Sequence, residues 1–157
     1  MQVSILEQSV AVEGKPQHIT IQDSINLAKK AEKLGYKRFW VSEHHNHPSI
    51  IGTAPEILMA AIATHTKTIR IGSAGIMLPH YSPFKVAEQF RVLEAIAPNR
   101  IDLGLGRAPG SDGRTALALN PNSRNDSEQF PSHVRDLMAW VSNCLLYTSP
   151  SPRDVEE

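Results

Sequence analysis

Arg38-Phe39-Trp40-Val41-Ser42-Glu43-His44-His45-Asn46 is a run of strand-forming residues that stops at a carboxylate and two adjacent histidines. Helical periodicity lies on both sides of it. Upstream, Ile21, Ile25, Ala28, Ala31 and Leu34 recur at helical spacing and predict a helix over 20–34. Thr20 with Asp23 reads as its capping box, and Gly35 stands where a left-handed C′ residue belongs. Downstream, Thr53-Ala54-Pro55-Glu56 supplies an N-cap, an early proline and a capping glutamate to a second helix. A strand held between two such helices belongs to a βα succession.

The same alternation extends along the chain. Strands are expected at 3–6, 68–74 and 101–105. A third helix starts at Ser82-Pro83, carries Val86, Phe90, Leu93 and Ala97 on one stripe, and breaks at Pro98-Asn99-Arg100. Residues 108–131, with Gly110, Gly113, Pro121 and Pro131, read as a long loop, and a last helix runs over 132–143. Four βα units in a row imply an α/β fold with a parallel sheet covered by helices. Four units are half of a (β/α)8 TIM barrel, which typically takes ~250 residues.

Composition narrows the function classes. Lys plus Arg number 16, as do Asp plus Glu, so no charge imbalance favours nucleic acid or an anionic membrane surface. No apolar run is long enough to span a bilayer, and the start lacks the basic-then-apolar pattern of a signal peptide. A single cysteine, Cys144, fits a reducing compartment, so a cytoplasmic location is expected. The pattern changes after Asn143. The eleven residues Cys144 to Asp154 can be spelled by the codons of a transposase-based sequencing adapter read in frame. The expected organisation is therefore a folded segment over 1–143 and an artefactual, disordered tail over 144–157.

Chemistry concentrates where strands end, which is where parallel barrels place it. Imidazole titrates nearest neutral pH and suits proton transfer. Adjacent residues on an extended backbone point to opposite faces, so His44 and His45 cannot share one pocket unless the strand has turned. One faces the mouth, the other fixes the turn, and Glu43 can orient an imidazole. The spacing His45-x-His47 also matches barrel hydrolases that hold zinc, but a catalytic site needs about three ligands, and only His80 falls near another strand end. Gly72-Ser73-Ala74-Gly75 closes the third strand with small residues. These either admit a flat ligand or simply pack tightly. Gly104-Leu105-Gly106-Arg107-Ala108-Pro109-Gly110 fails the dinucleotide pattern in spacing, in Pro109 and in lacking an immediate helix. Arg107 at a strand end has the planar fork that clamps phosphate.

Together, Phe39 to His45, Ile71-Gly72-Ser73-Ala74-Gly75-Ile76-Met77-Leu78-Pro79 and Arg100 to Arg107 resemble the bacterial luciferase-like flavin monooxygenases, and Gly106-Arg107-Ala108-Pro109-Gly110 looks closer to an alkanal-monooxygenase-like branch than to the light-emitting enzymes. The resemblance spans residues 3–143. It implies a (β/α)8 barrel with reduced FMN in its mouth, O2 and a small organic molecule as substrates, a separate flavin reductase, and a homodimer. A deazaflavin is the variant cofactor. On this resemblance His44 is the active-site acid/base, with Glu43 and His45 beside it. Ser73, Ala74 and Gly75 lie beneath the flavin ring, Ala74-Gly75 as a non-proline cis peptide, and Arg107 binds the phosphate. Gly106 stands where light-emitting relatives carry a reactive cysteine, which argues against bioluminescence. The rival readings are a metal-dependent barrel hydrolase and a non-catalytic flavin-binding protein of the same fold. The 157-residue chain alone is expected to be inactive.

Overall fold

The computed structural model describes residues 1–108 and 112–142. The expected tail over 144–157, Cys144, Pro109 and Gly110 lie outside the described residues. Strands β1 (Ser4–Glu7), β2 (Arg38–Val41), β3 (Arg70–Ser73) and β5 (Ile101–Asp102) form one parallel sheet in the order β1-β2-β3-β5. Helices α1 (Gln17–Lys33), α2 (Pro55–His65) and α3 (Pro83–Ile96) connect them. A second parallel ladder joins β4 (Ile76–Met77) to β6 (Leu105–Gly106). Helices α4 (Gly113–Leu119), α5 (Ser123–Glu128) and α6 (Phe130–Val141) follow. The architecture is α/β with an open parallel sheet, as the βα alternation predicts.

Strand alternation sorts the sheet into two faces. Phe39, Val41 and Ile71 point to the helices and join Ile25, Ala28, Leu58, Met59, Ile62, Val86, Phe90 and Leu93 in one buried core. Arg38, Trp40, Arg70, Gly72 and Asp102 occupy the opposite face. Helix α6 closes onto α3, with Leu137 buried and Trp140 edge-on to Phe84 at 4.8 Å between ring centres.

Helix ends follow local chemistry. Gly35 has φ +81°, and the amides of Gly35 and Tyr36 bond back to Glu32 O and Ala31 O, completing the expected left-handed stop of α1. The expected start of α1 is wrong by three residues. Extended Pro16 is the N-cap, and its carbonyl accepts the amides of Ile19 and Thr20. Thr20 therefore sits inside the helix with its hydroxyl buried, and Asp23 ion-pairs with Lys15 instead. Ala54, not Thr53, is the N-cap of α2, with Pro55 at its first turn.

Side chains reaching between units explain the shorter strands. The Glu32 carboxylate accepts the amides of Lys67, Thr68 and Ile69 at 2.8, 2.6 and 3.0 Å, so β3 begins only at Arg70. Arg100 donates to Ala63 O, Thr66 Oγ1 and Ile69 O at 2.9, 3.0 and 3.3 Å, closing the carboxyl end of α2. The expected single strand 101–105 is split into β5 and β6. The Ser73 hydroxyl donates to Gly104 O at 2.9 Å and accepts from Gly104 N at 3.1 Å, replacing ladder bonds with a side-chain bridge. Within the expected loop 108–131 lie two short helices. Asp112 caps α4 by accepting the amides of Arg114 and Thr115, a start signal masked by Gly113 and Pro121.

Candidate active site at the carboxyl ends of the strands

Strand β2 ends at Val41, and its alternation continues into the next four residues. Ser42 Oγ lies 3.3 Å from His44 Nδ1, while Glu43 Oε1 lies 2.7 Å from His45 Nε2. The two imidazoles therefore belong to different sides of the chain, as expected from the period of two, and Glu43 orients His45. The Glu43 side chain is fully buried. Its Oε2 accepts the Met77 amide at 2.9 Å, and its Oε1 also accepts the Tyr81 hydroxyl at 2.6 Å. A buried carboxylate is tolerated because three donors replace its water. Burial of the phenol, then its hydrogen bond to Glu43 and that group's charge, push the Tyr81 pKa up. Tyr81 is thus held protonated as a donor. His80, buried in the turn 78–80 after β4, meets His45 and Tyr81 edge-on with ring centres at 6.1 and 6.2 Å.

The glycine-rich end of β3 is packed rather than open at most positions. A Cβ on Gly72 would come within 2.7 Å of the Trp40 ring, and one on Gly75 within 2.8 Å of the Gly104 and Leu105 backbone. Ser73 is completely buried, with its hydroxyl committed to Gly104. Ala74 and Gly75 are half-buried, and the bond between them is cis. Of this stretch, only Ala74 and Gly75 keep accessible surface.

Arg107 lies apart from the histidines. It is exposed, donates from Nε to Ser127 O at 3.2 Å, and lines an open cleft of about 1120 Å³. Arg114 and Arg124 line the same cleft, with Asp112 and Glu128 as its acidic members. Glu43, His44, His45 and Ser73 do not line it. The two regions touch through Asn46, whose amide donates to Thr115 Oγ1 at 3.0 Å and reaches Asp112 Oδ2 at 3.5 Å. Tyr81, Arg114 and Arg124 escaped the sequence reading, and His80 entered it only as a histidine near a strand end weighed for metal. Tyr81 stands in a Leu78-to-Pro83 loop with no periodic pattern, and both arginines sit in a stretch read as loop. His47 turns to Ser49, and among the described residues no three potential metal-ligating side chains converge. No helix among the described residues is long and apolar enough to cross a membrane.

Comparison with known proteins bears on the fold and the family. The chain is 46% identical over 141 residues to N-acetyl-S-alkylcysteine monooxygenase of Bacillus subtilis, covering 90% of this chain and 42% of that protein. The crystal structure of apo-MsnO8 superposes with a TM-score of 0.88 at 43% identity, over 97% of this chain and 46% of the other. The oxygenating constituent of 3,6-diketocamphane monooxygenase from Pseudomonas putida, a type II Baeyer-Villiger monooxygenase in complex with FMN, shares the fold at TM-score 0.77 and 23% identity, over 87% of this chain and 38% of that one. The chain thus spans less than half the length of the relatives it matches. The luciferase-like monooxygenase profile matches residues 1–145, the whole described sheet and its helices, and the chain belongs to that family.

Proposed function

We propose that this chain is the amino-terminal half of an FMN-dependent monooxygenase barrel, in which further strands, as long as those of the relatives, close the sheet. The observation that carries this reading is the cleft lined by Arg107, Arg114 and Arg124, joined through Asn46 to the Glu43-His44-His45 loop. Three guanidiniums fit a phosphate monoester, and half-buried Ala74 and Gly75 offer a flat surface at a neighbouring strand end. When bound, reduced flavin supplies the electrons with which O2 oxygenates a small organic substrate. Arg107 binds the phosphate. His44, on the side of the chain opposite Glu43, moves the proton, and Glu43 holds His45 in place. A separate flavin reductase provides the reduced cofactor.

The test uses the chain extended to the length of its relatives. Arg107→Ala weakens FMN binding by about tenfold or more and riboflavin little; equal loss for both removes the phosphate role. His44→Ala keeps flavin affinity and loses turnover. An absorbance spectrum separates FMN from a deazaflavin, and a bound flavin that never turns over favours the non-catalytic alternative.

The homodimer has its own support. Ile57, Val92 and Ile96 are 69%, 60% and 44% exposed and line a groove of about 450 Å³ between α2 and α3, rimmed by Glu56, Lys85 and Glu88. These helices follow interior strands, so strands added at either edge leave the groove open. A second copy, with the same apolar stripe and both charge signs, is the occupant. Val92→Glu yields a monomer by sedimentation; an unchanged dimer counts against this surface.

A further inference from the structure

The sheet face turned away from the helices carries a charge cluster. Register sets Arg38 beside Arg70, and Trp40 beside Gly72, which neighbours Asp102. Asp102 is shared among them. Its Oδ1 accepts from Arg70 Nε at 2.9 Å. Its Oδ2 accepts from Trp40 Nε1 at 3.1 Å and lies 3.2 Å from Arg38 Nε. Burial pushes the Asp102 pKa upward, but the Arg70 and Trp40 hydrogen bonds and both guanidinium charges outweigh it and hold it low. The carboxylate is ionised and fully used.

The two arginines are not equally served. Arg70 also donates to Asn99 O and Ile101 O at 2.6 and 3.0 Å, and the charge of Glu94 acts on it. Among the described residues Arg38 pairs with Asp102 alone, with Nε its nearest atom. Its terminal nitrogens, with four N–H donors, have no protein acceptor there. The side chain is 38% exposed, so water serves them now. Leu6, in register with Trp40 on the same face, is 56% exposed. Both sheet edges, β1 and β5, lack a further strand among the described residues.

Closure of the sheet, as proposed above, removes that water. A guanidinium shut away from solvent needs hydrogen-bonding counter-charge at every donor, and Asp102, already shared with Arg70 and Trp40, meets Arg38 at Nε and leaves its terminal nitrogens to another group. Relatives of which this chain covers 42% have the additional length to supply one. We infer that this face is the docking surface for the remaining α/β half of the barrel, and that the docking half presents a carboxylate to the terminal nitrogens of Arg38. The planar fork favours a bidentate acid over a carbonyl. The inference rests on the barrel reading and adds to it the chemistry of the contact.

The test is fragment complementation. The 157-residue chain is titrated with the separately expressed segment of Bacillus subtilis N-acetyl-S-alkylcysteine monooxygenase that follows the matched region, and binding is followed by calorimetry and sedimentation. A one-to-one complex is expected. Arg38→Met should weaken it about tenfold or more and flatten its salt dependence, with Arg38→Lys intermediate. The far-UV spectrum and melting of the Arg38→Met chain alone should match wild type, which separates lost docking from lost folding. Changing inward-facing acids of the added segment to amides one at a time should identify one whose loss equals that of Arg38→Met. A complex indifferent to Arg38→Met, within about twofold, overturns the carboxylate inference and leaves the barrel reading standing. No complex with the wild-type chain overturns both.

Discussion

Glu32 and Glu43 are the same residue type, and each gathers three or more donors, yet they serve different ends. Glu32, at the close of α1, takes three consecutive backbone amides and the Thr68 hydroxyl. Glu43, past the end of β2, takes one amide, one phenol and one imidazole. Backbone amides cannot change protonation, so Glu32 is a fixed tie between α1 and the turn before β3. Glu43 instead gathers a backbone amide, a phenol held protonated and an imidazole, so the second carboxylate fixes the side chains of the site rather than backbone alone. The difference lies in the donors rather than the acceptor, and burial follows it: Glu32 is partly solvated and Glu43 is enclosed.

The contrast can be broken most directly at Glu43. Glu43→Ala leaves one buried and two part-buried donors without their acceptor, and a small cavity, and should cost about 3 kcal/mol or more in urea denaturation; a loss below about 1 kcal/mol would show that water replaces the carboxylate without penalty. Tyr81→Phe removes one donor and should cost about 1–2 kcal/mol, while leaving the helix content by circular dichroism unchanged. Glu32→Gln should cost about 1 kcal/mol near neutral pH, discounted for its solvation. The pH dependence sharpens this case. Burial raises the Glu32 pKa, but the amides of Ile69, Thr68 and Lys67 and the Thr68 hydroxyl outweigh it and lower it from 4.5 to about 2. A depressed folded value means the contribution is complete above pH 4.5 and is lost as pH falls toward 2. The stability gap between wild type and Glu32→Gln should therefore close over that range in acid titration. Arg124→Ala, in the open cleft, should shift stability by less than about 0.5 kcal/mol.

What could be read in advance follows the range of the interactions. Helix stripes such as Val86, Phe90 and Leu93 and the stop at Gly35 are local, and they emerged in the positions expected. That Glu43 orients an imidazole was equally accessible, whereas the choice of His45 over His44 came from the structure. Long-range capture was not. Glu32 removing Thr68 and Ile69 from a strand, Ser73 interrupting the ladder at Gly104, and Tyr81 closing on Glu43 each depend on residues more than thirty positions apart. Helices α4 and α5 were hidden for another reason. Their Asn, Ser, Pro and Gly content reads as turn, and only the Asp112 cap marks a start. The placement of Arg107 at a strand end was legible; the company of Arg114 and Arg124 was not, because it needs those helices.

The ties made by Glu32 and Arg100 have a bearing on how the polypeptide is made. Each spans between 31 and 37 positions, close to one repeat of the architecture. A nascent polypeptide leaving the ribosome can therefore fasten each repeat to its predecessor as soon as the next turn emerges. Early repeats need not wait for distant sequence, which keeps their apolar strands sheltered during synthesis.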